Sequence, residues 1–114
     1  AYCGAVSAGV GAGAGIAYLK GGRFETIAHT VVNAIAVTSG IICDGAKASC
    51  AAKIAASVDA GLLGLAMFES GNQFFGGDGI VKKGVENTIA TVGKLARIGM
   101  EQTDKEIIHL MMEA

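Results

Sequence analysis

Glycine spacing limits how the first twenty residues of this chain can fold. Five glycines lie within GAVSAGVGAGAGIAYL, residues 4–19. The alternation in VGAGAG would suit a short strand, whereas Gly9 with Gly13, and Gly11 with Gly15, have the spacing of small helix faces. Each glycine inside a helix costs about 0.8–1 kcal/mol relative to alanine, so such a helix must pack closely against another backbone. We favour the buried helix over the strand.

The rest of the chain also favours helices. Proline is absent, apolar residues make up 52% of the sequence, and aromatic residues make up only 5%. Gly21 and Gly22 predict a tight turn after the first helix. We predict an all-α fold, a compact bundle of about five Gly/Ala-rich helices that forms one domain over residues 1–114. The predicted helices are 4–20, 24–40, 46–68, 80–98, and a last one opened by a Thr103–Glu106 capping box.

Hydrophobic periodicity predicts which helix faces are buried. The second helix carries a polar stripe of Thr26, His29, Thr30 and Asn33. We interpret His29 and Asn33, one turn apart in this stripe, as hydrogen-bonded core or interface groups, with proton transfer as the alternative. For the third helix we expect an inward face of Ile54, Val58, Leu62 and Leu65. For the fourth we expect Ile80, Val85, Ile89, Val92 and Ala96 to point inward.

Charge and hydropathy argue against two classes of partner. Nine basic residues balance ten acidic ones with no basic run, so neither nucleic acid nor an anionic membrane surface is an expected partner. The mean hydropathy of +0.52 raises the question of membrane helices. The apolar stretches are interrupted, for example by Lys20 and Asp59, and a spanning helix needs about 20 consecutive apolar residues. We expect a bundle outside the membrane, and a small membrane bundle is the alternative.

The helical hairpin predicts where the three cysteines lie. Their odd number argues against a disulfide framework and for free or metal-binding thiols in a reducing cytoplasm. Cys3 precedes the first helix, Cys43 follows the second, and Cys50 stands at the start of the third. Two antiparallel helices of roughly 25 Å, joined by a short turn, return their outer ends to the same place. We therefore expect all three thiols at one end of the bundle.

Two interpretations of this thiol cluster remain open at the level of spacing. Structural zinc usually takes four ligands in close pairs, which are absent here. A [4Fe-4S] cluster usually takes four cysteines, and three would leave one iron free to act as a Lewis acid. Lys47 and nearby backbone N–H groups would then hold a substrate carboxylate or stabilise the charge of the cluster. Alternatively, the cysteines are small buried hydrophobic side chains with no ligand.

Three stretches of this sequence, CGAVSAGVGAGAG, ICDGAKASCAAK and GNQFFGGDGI, carry a resemblance to a known family. They resemble the C-terminal part of the iron–sulfur-dependent L-serine dehydratase alpha-chain family, and more closely its L-cysteine desulfidase branch. The resemblance implies that Cys3, Cys43 and Cys50 bind a [4Fe-4S] cluster. It implies a bacterial lyase that converts L-cysteine or L-serine to pyruvate and ammonia, with sulfide as a third product from cysteine.

The same resemblance implies that other parts of the enzyme lie outside this chain. The proton-abstracting base is expected in a missing N-terminal portion, so the fragment alone is expected to be inactive and can lack the cluster. Lys47, Asn72 and Asp78 are our candidate substrate-binding residues, although we favour the interpretation of the loop at 69–79 as an ordinary connector, because polar loops are common. The expected partners are a small amino-acid substrate, the missing N-terminal portion and a further copy of the chain. The alternative function is a non-catalytic helical packing or oligomerisation domain with free buried cysteines.

Overall fold

The structure, a computed structural model, describes residues 1–113 and consists of helices. Five α-helices follow one another along the chain: α1 Gly4–Leu19, α2 Phe24–Thr38, α3 Ser49–Glu69, α4 Val85–Lys94 and α5 Glu101–Glu113. A π-helical turn, Leu95–Gly99, continues α4. Over these 113 residues no β-strand forms, and the only extended pairing is an isolated antiparallel bridge between Tyr2 and Ile42. The prediction of an all-α fold with five helices is confirmed.

Glycine allows α1 to touch α3 backbone to backbone. A Cβ atom added at Gly13 would lie 2.7 Å from the Cα atom of Gly61, and one added at Gly61 would lie 2.5 Å from the carbonyl oxygen of Gly9. Only hydrogen fits at these positions. A Cβ at Gly11 or Gly15, by contrast, would meet nothing within 4 Å, because that face of α1 is open. The helical interpretation of the glycine-rich stretch is confirmed. Of its two small-residue faces, the one formed by Gly9 and Gly13 contacts α3.

The polar stripe of α2 faces inward, where Asn33 connects three parts of the chain. Asn33 is fully buried, and its Nδ2 atom donates to the carbonyl oxygen of Gly64 in α3 at 3.0 Å. Its Oδ1 atom accepts a hydrogen bond from the backbone N–H of Phe74 at 3.1 Å. Thr30 is fully buried as well and donates to the carbonyl oxygen of Thr26 at 2.7 Å. Asn33 is therefore a hydrogen-bonded core group, as predicted, and Thr30 is one as well. For His29 the same prediction is wrong at Nδ1, which is buried and has no hydrogen-bond partner among residues 1–113.

The predicted inward faces of the third and fourth helices are partly wrong. On α3, Ile54 and Leu62 are 49% and 42% exposed, and on α4 Ile89 is 44% exposed. Small residues occupy the interior instead, because α3 approaches α1 and α2 too closely for large side chains. Leu65 and Val92 are buried as predicted. The buried residues of α3 are Ser57, Ala60, Gly61, Gly64 and Leu65.

Three predicted helix starts also differ from the structure. Helix α3 begins at Ser49 rather than 46, after a bend at residues 46–47. Helix α4 begins at Val85 rather than 80, directly after Gly84, whose φ of +90° cannot continue a helix. Helix α5 begins at Glu101, so Thr103 lies inside its first turn and does not cap it. The π-helical turn explains the last difference, because it leaves only Met100 between the two helices.

Helix α3 lies in the middle of the fold, against both α1 and α2. Along residues 1–113 it is the one helix long and apolar enough, by length and composition alone, to cross a membrane. The central helix of many water-soluble proteins meets the same criterion, so the finding is weak evidence. The molecule measures 48 × 29 × 16 Å along its principal axes and is flat.

Candidate functional site

Residues 1–3 pair with residues 41–43, which brings two cysteines to the same end of the molecule. Cys3 precedes the first residue of α1 and is buried, and its backbone N–H donates to the carbonyl oxygen of Ile41 at 3.1 Å. The N–H of Cys43 donates to the carbonyl oxygen of Ala1 at 2.6 Å. Between them lies the Tyr2–Ile42 bridge. The α1–α2 hairpin thus returns the chain to its starting point, as its matched helix lengths predict.

Cys50 lies at the start of α3, at the same end of the molecule as Cys3 and Cys43, and contacts the segment that precedes α3. Its Sγ atom is 3.5 Å from the carbonyl oxygen of Gly45 and accepts from the backbone N–H of Lys47 at 3.4 Å. All three cysteines are free thiols: Cys3 is buried, Cys50 is half-buried and Cys43 is exposed. We call residues 1–3 and 41–53 the thiol end.

A cluster of charges at the thiol end includes Lys53, which the sequence patterns did not indicate as a site residue. The ammonium of Lys53 donates to the carbonyl oxygen of Ile42 at 2.8 Å and to Oδ1 of Asp44 at 2.7 Å. Lys47 forms an ion pair with the same carboxylate oxygen. Lys53 stands three residues after Cys50 on α3, so both side chains project from one side of the helix. That spacing, C-A-A-K, is the signal that could have identified it.

These contacts explain the pKa shifts at the thiol end. Hydrogen bonds from Lys47 and then Lys53 lower the pKa of Asp44 to about 2. The hydrogen bond to Asp44 raises the pKa of Lys53 against the opposing cost of desolvation, and the nearby Cys3 and Cys50 act in the same direction as Asp44. Lys53 is therefore a permanent positive charge close to two of the three thiols.

The thiol end does not form a site for a single metal ion. Among the residues that the structure describes, no group of three or more His, Cys, Asp or Glu side chains could hold one ion. The requirement of a four-iron cluster is different, because each of its cysteine thiolates binds a separate iron atom. Three free thiols at one end of the fold, next to a cation, match that donor chemistry.

The structure does not bring Asn72 to the thiol end. The backbone N–H of Asn72 donates to the carbonyl oxygen of Met67, close to the end of α3 opposite Cys50. Seventeen residues of helix separate Met67 from Cys50, a distance of roughly 25 Å at 1.5 Å per residue. Lys47, by contrast, lies at the thiol end and is exposed.

Asp78 lies on the long loop between α3 and α4 and has a local contact. It is exposed, and its Oδ2 atom accepts from the backbone N–H of Phe75 at 2.7 Å, which holds a turn. Two residues further on, Ile80 packs against the core cluster that contains Cys3. The loop therefore runs from the far end of α3 back towards the thiol end.

A cavity of about 480 Å³ lies between α2 and the loop before α4. His29 lines it, stacked on Phe68 with ring centroids 4.9 Å apart, and its buried Nδ1 atom has no hydrogen-bond partner among residues 1–113. Most of the lining is apolar, with Lys82, Lys83 and Glu86 among the charged residues. The cavity lies beside the first half of α2, whereas the thiol end lies beyond the last residue of that helix.

Fold and site together define an all-helical domain, packed through glycine, that presents three free thiols at one end. Comparison with known sequences identifies the family. The family model described as "Serine dehydratase alpha chain" matches residues 1–109, so the chain belongs to that family. No solved structure matches the chain.

Curated relatives agree with this assignment. The chain is 64% identical over 112 residues to a UPF0597 protein of Desulfitobacterium hafniense, covering 98% of this chain and 26% of that protein. It is 54% identical over 112 residues to a UPF0597 protein of Lachnoclostridium phytofermentans, covering 98% of this chain and 27% of that protein. A UPF0597 protein of Treponema denticola is 50% identical over 113 residues, which cover 99% of this chain and 26% of that protein. The chain thus spans about a quarter of the length of these relatives.

Proposed function

We propose that this chain is the part of an iron–sulfur-dependent amino-acid lyase that holds a [4Fe-4S] cluster through Cys3, Cys43 and Cys50. One observation carries the proposal: residues 1–3 are hydrogen-bonded to residues 41–43, and Cys50 follows on the adjacent helix α3. Membership of the serine dehydratase alpha-chain family supports it. Free thiols and an iron–sulfur cluster both require reducing surroundings, so we propose a cytoplasmic location.

The proposed reaction is α,β-elimination. A cluster with three cysteine ligands supplies, when bound, an iron with an open position that acts as a Lewis acid on the leaving hydroxyl or thiol. The substrate loses the proton on Cα and the hydroxyl or thiol on Cβ, which leave as water or hydrogen sulfide, and the resulting aminoacrylate hydrolyses to pyruvate and ammonia. We propose L-cysteine or L-serine as the substrate, because the cysteine motif has the desulfidase-like form. We propose that the base that removes the Cα proton lies outside this chain.

Lys47 is the residue of this chain that we propose for substrate binding. Its side chain is 42% exposed at the thiol end, where its ammonium pairs with Asp44, and the first turn of α3 lies directly after it. A cation next to a helix N-terminus favours a carboxylate. Asn72 and Asp78 stay predictions, and the position of Asn72 at the far end of α3 favours Lys47 over it.

Anaerobic reconstitution of the full-length protein with iron and sulfide tests the proposal. We expect the absorption and reduced-state EPR signal of a [4Fe-4S] cluster, lost or strongly weakened in Cys3→Ala, Cys43→Ala and Cys50→Ala. Ser49→Ala, which changes a small side chain next to Cys50, is the matched control and should load normally. Sulfide and pyruvate released from L-cysteine, against pyruvate from L-serine, then identify the substrate. Failure of the wild-type protein to take up a cluster would overturn the proposal.

A second candidate is a helical packing or oligomerisation domain whose cysteines bind nothing. The observation in its favour is the amount of apolar surface: Leu19, Phe24 and Met112 are 84%, 77% and 79% exposed. Such surface is usually covered by another part of the protein or by a partner. The occupants that we propose are the remainder of the polypeptide and a further copy of the chain. Mass measurement by light scattering, combined with the reconstitution above, separates this candidate from the lyase.

A further inference from the structure

Lys53 holds the chain on both sides of Cys43. Its ammonium donates to the carbonyl oxygen of Ile42, the residue before Cys43, and to the carboxylate of Asp44, the residue after it. The side chain is only 21% exposed, so its methylene stem is packed while its charged end makes these two contacts. A single side chain of α3 therefore fixes the backbone that carries another helix's thiol.

The segment that Lys53 holds is irregular and lies between two glycines. Gly40 and Gly45 bound it, with φ values of +136° and +92°, which are conformations that favour glycine. No helix covers residues 39–48. Besides Lys53, the segment is held by the pairing of residues 1–3 with 41–43, by the ion pair between Lys47 and Asp44 and by the packing of Ile41 against the core cluster.

From this geometry we infer that Lys53 is a positioning residue for the three-cysteine site. It ties the segment around Cys43 to the turn of α3 that carries Cys50 and, through the Tyr2–Ile42 bridge, to Cys3. The inference rests on the proposed function in so far as the thiols are cluster ligands. A metal-bound cysteine is a thiolate, so the positive charge of Lys53 also offsets negative charge that ligand formation creates there.

Lys47 provides a matched comparison. It binds the same Asp44 carboxylate but its ammonium makes no contact with the backbone beside Cys43, and it is more exposed, at 42%. Lys47→Met therefore removes one positive charge from the same place and leaves the backbone contact intact. Lys53→Met removes both, and Lys53→Arg restores a charged donor.

The first measurement follows the thiols of the cluster-free full-length protein by iodoacetamide labelling and mass spectrometry. Cys3 is 6% exposed beneath the paired segment, so releasing that segment should expose it. We expect Lys53→Met to raise the labelling rate of Cys3 on the order of tenfold, since a hydrogen bond to a charged group contributes about that factor to a local equilibrium. Lys47→Met and Lys53→Arg should stay within about twofold of the wild type. A thermal midpoint equal to that of the wild type shows that Lys53→Met remains folded. If Lys53→Met is not folded, the Lys53→Gln variant is measured in its place.

The second measurement follows decay of the reconstituted cluster absorption in the presence of an iron chelator. We expect faster decay in Lys53→Met, with recovery in Lys53→Arg and little change in Lys47→Met. Equal cluster lifetimes in Lys53→Met and wild type would overturn the inference while leaving the proposed function in place, whatever the labelling shows. No cluster in wild type, together with the expected change in labelling, would overturn the proposed function and leave Lys53 positioning free thiols.

Discussion

The two halves of this molecule are held together in different ways. In the first, α1, α2 and α3 pack so closely that glycine hydrogens form the contact, and Asn33 ties two of the helices together from a fully buried position. In the second, α4, the π-helical turn and α5 bury few side chains: Thr88, Val92 and Ile107. Large apolar residues of this half lie exposed instead: Ile89, Leu95, Ile98, Ile108, Leu110, Met111 and Met112.

The difference in packing between the two halves indicates how each half is stabilised. Close packing of small residues holds the first half together where α1, α2 and α3 meet, whereas Leu19 and Phe24, beside the turn between α1 and α2, lie exposed. The second half presents apolar side chains that no described residue covers. Relatives of this chain are about four times as long, since it spans 26% and 27% of them, so further chain exists in those proteins to cover such a surface. The thiol end belongs to the first half.

The strongest test of the comparison is Gly13→Ala. The added methyl group would lie 2.7 Å from the Cα atom of Gly61, and neither backbone can give way without separating α1 from α3. We expect the free energy of unfolding to fall by about 1–3 kcal/mol or more, measured by urea denaturation followed by circular dichroism.

Gly11→Ala is the control for Gly13→Ala, on the same helix two residues away. Nothing lies within 4 Å of its added methyl group, so only the helix propensity changes. Here we expect a gain of about 0.5–1 kcal/mol. Equal losses from the two substitutions would show that α1 and α3 are not packed backbone to backbone.

Asn33→Ala should produce the next largest effect. The substitution leaves the Gly64 carbonyl and the Phe74 N–H without their partner in the interior. Loss of a buried partner typically costs about 1–3 kcal/mol, which thermal unfolding would detect. Asn87→Ala in the second half removes only an exposed bond to the carbonyl oxygen of Lys83. Its effect should stay within about 0.5 kcal/mol, and a comparable loss from both would remove the contrast between the halves.

Hydrogen exchange should separate the halves without any substitution. Backbone amides of α1 and α3 are expected to exchange only on global unfolding, because their helices are covered on their packed sides. Amides of α5 are expected to exchange by local opening, since Ile107 is its one buried side chain. Mass spectrometry of peptic fragments measures both in one experiment. Protection of α5 as strong as that of α3 would contradict the comparison.

The smallest effect concerns pH at the thiol end. The carboxyl of Asp44 has its pKa lowered from 3.8 to about 2 by Lys47 and Lys53. A pKa lowered in the folded state contributes stability that is present above 3.8 and is lost as the pH falls towards 2. NMR titration should show Asp44 still ionised at about pH 3. Lys47→Met should move its midpoint up towards the ordinary value, and an unmoved midpoint would show that the ion pair is absent in solution.

Local sequence signals were enough to predict much of the fold. Small-residue spacing, the Gly21–Gly22 turn and the lack of proline predicted helices and a hairpin, and the hairpin predicted that Cys3 returns to Cys43. The predicted helix starts at residues 46 and 80 were wrong: α3 begins at Ser49, and α4 begins at Val85, directly after Gly84, whose φ of +90° cannot continue a helix.

Side-chain burial was harder to predict than helix content. Ile54 and Leu62 have the spacing of a core face, yet glycine and serine take the interior of α3. Hydrophobicity predicts which side chains are stabilised by burial, whereas the distance between two helix axes determines which side chains fit between the helices. That distance is set by two helices together, and neither sequence segment contains it alone.

By itself the sequence determined that this protein is helical, that its first two helices form a hairpin, and that its cysteines gather at one end. Those properties follow from local propensity and chain length, which act within a few residues of each position. Only the tertiary structure decided that Gly9 and Gly13 rather than Gly11 and Gly15 meet α3, and that Lys53 reaches across to both neighbours of Cys43. These contacts join residues far apart along the chain, so their partners exist only once the helices have packed.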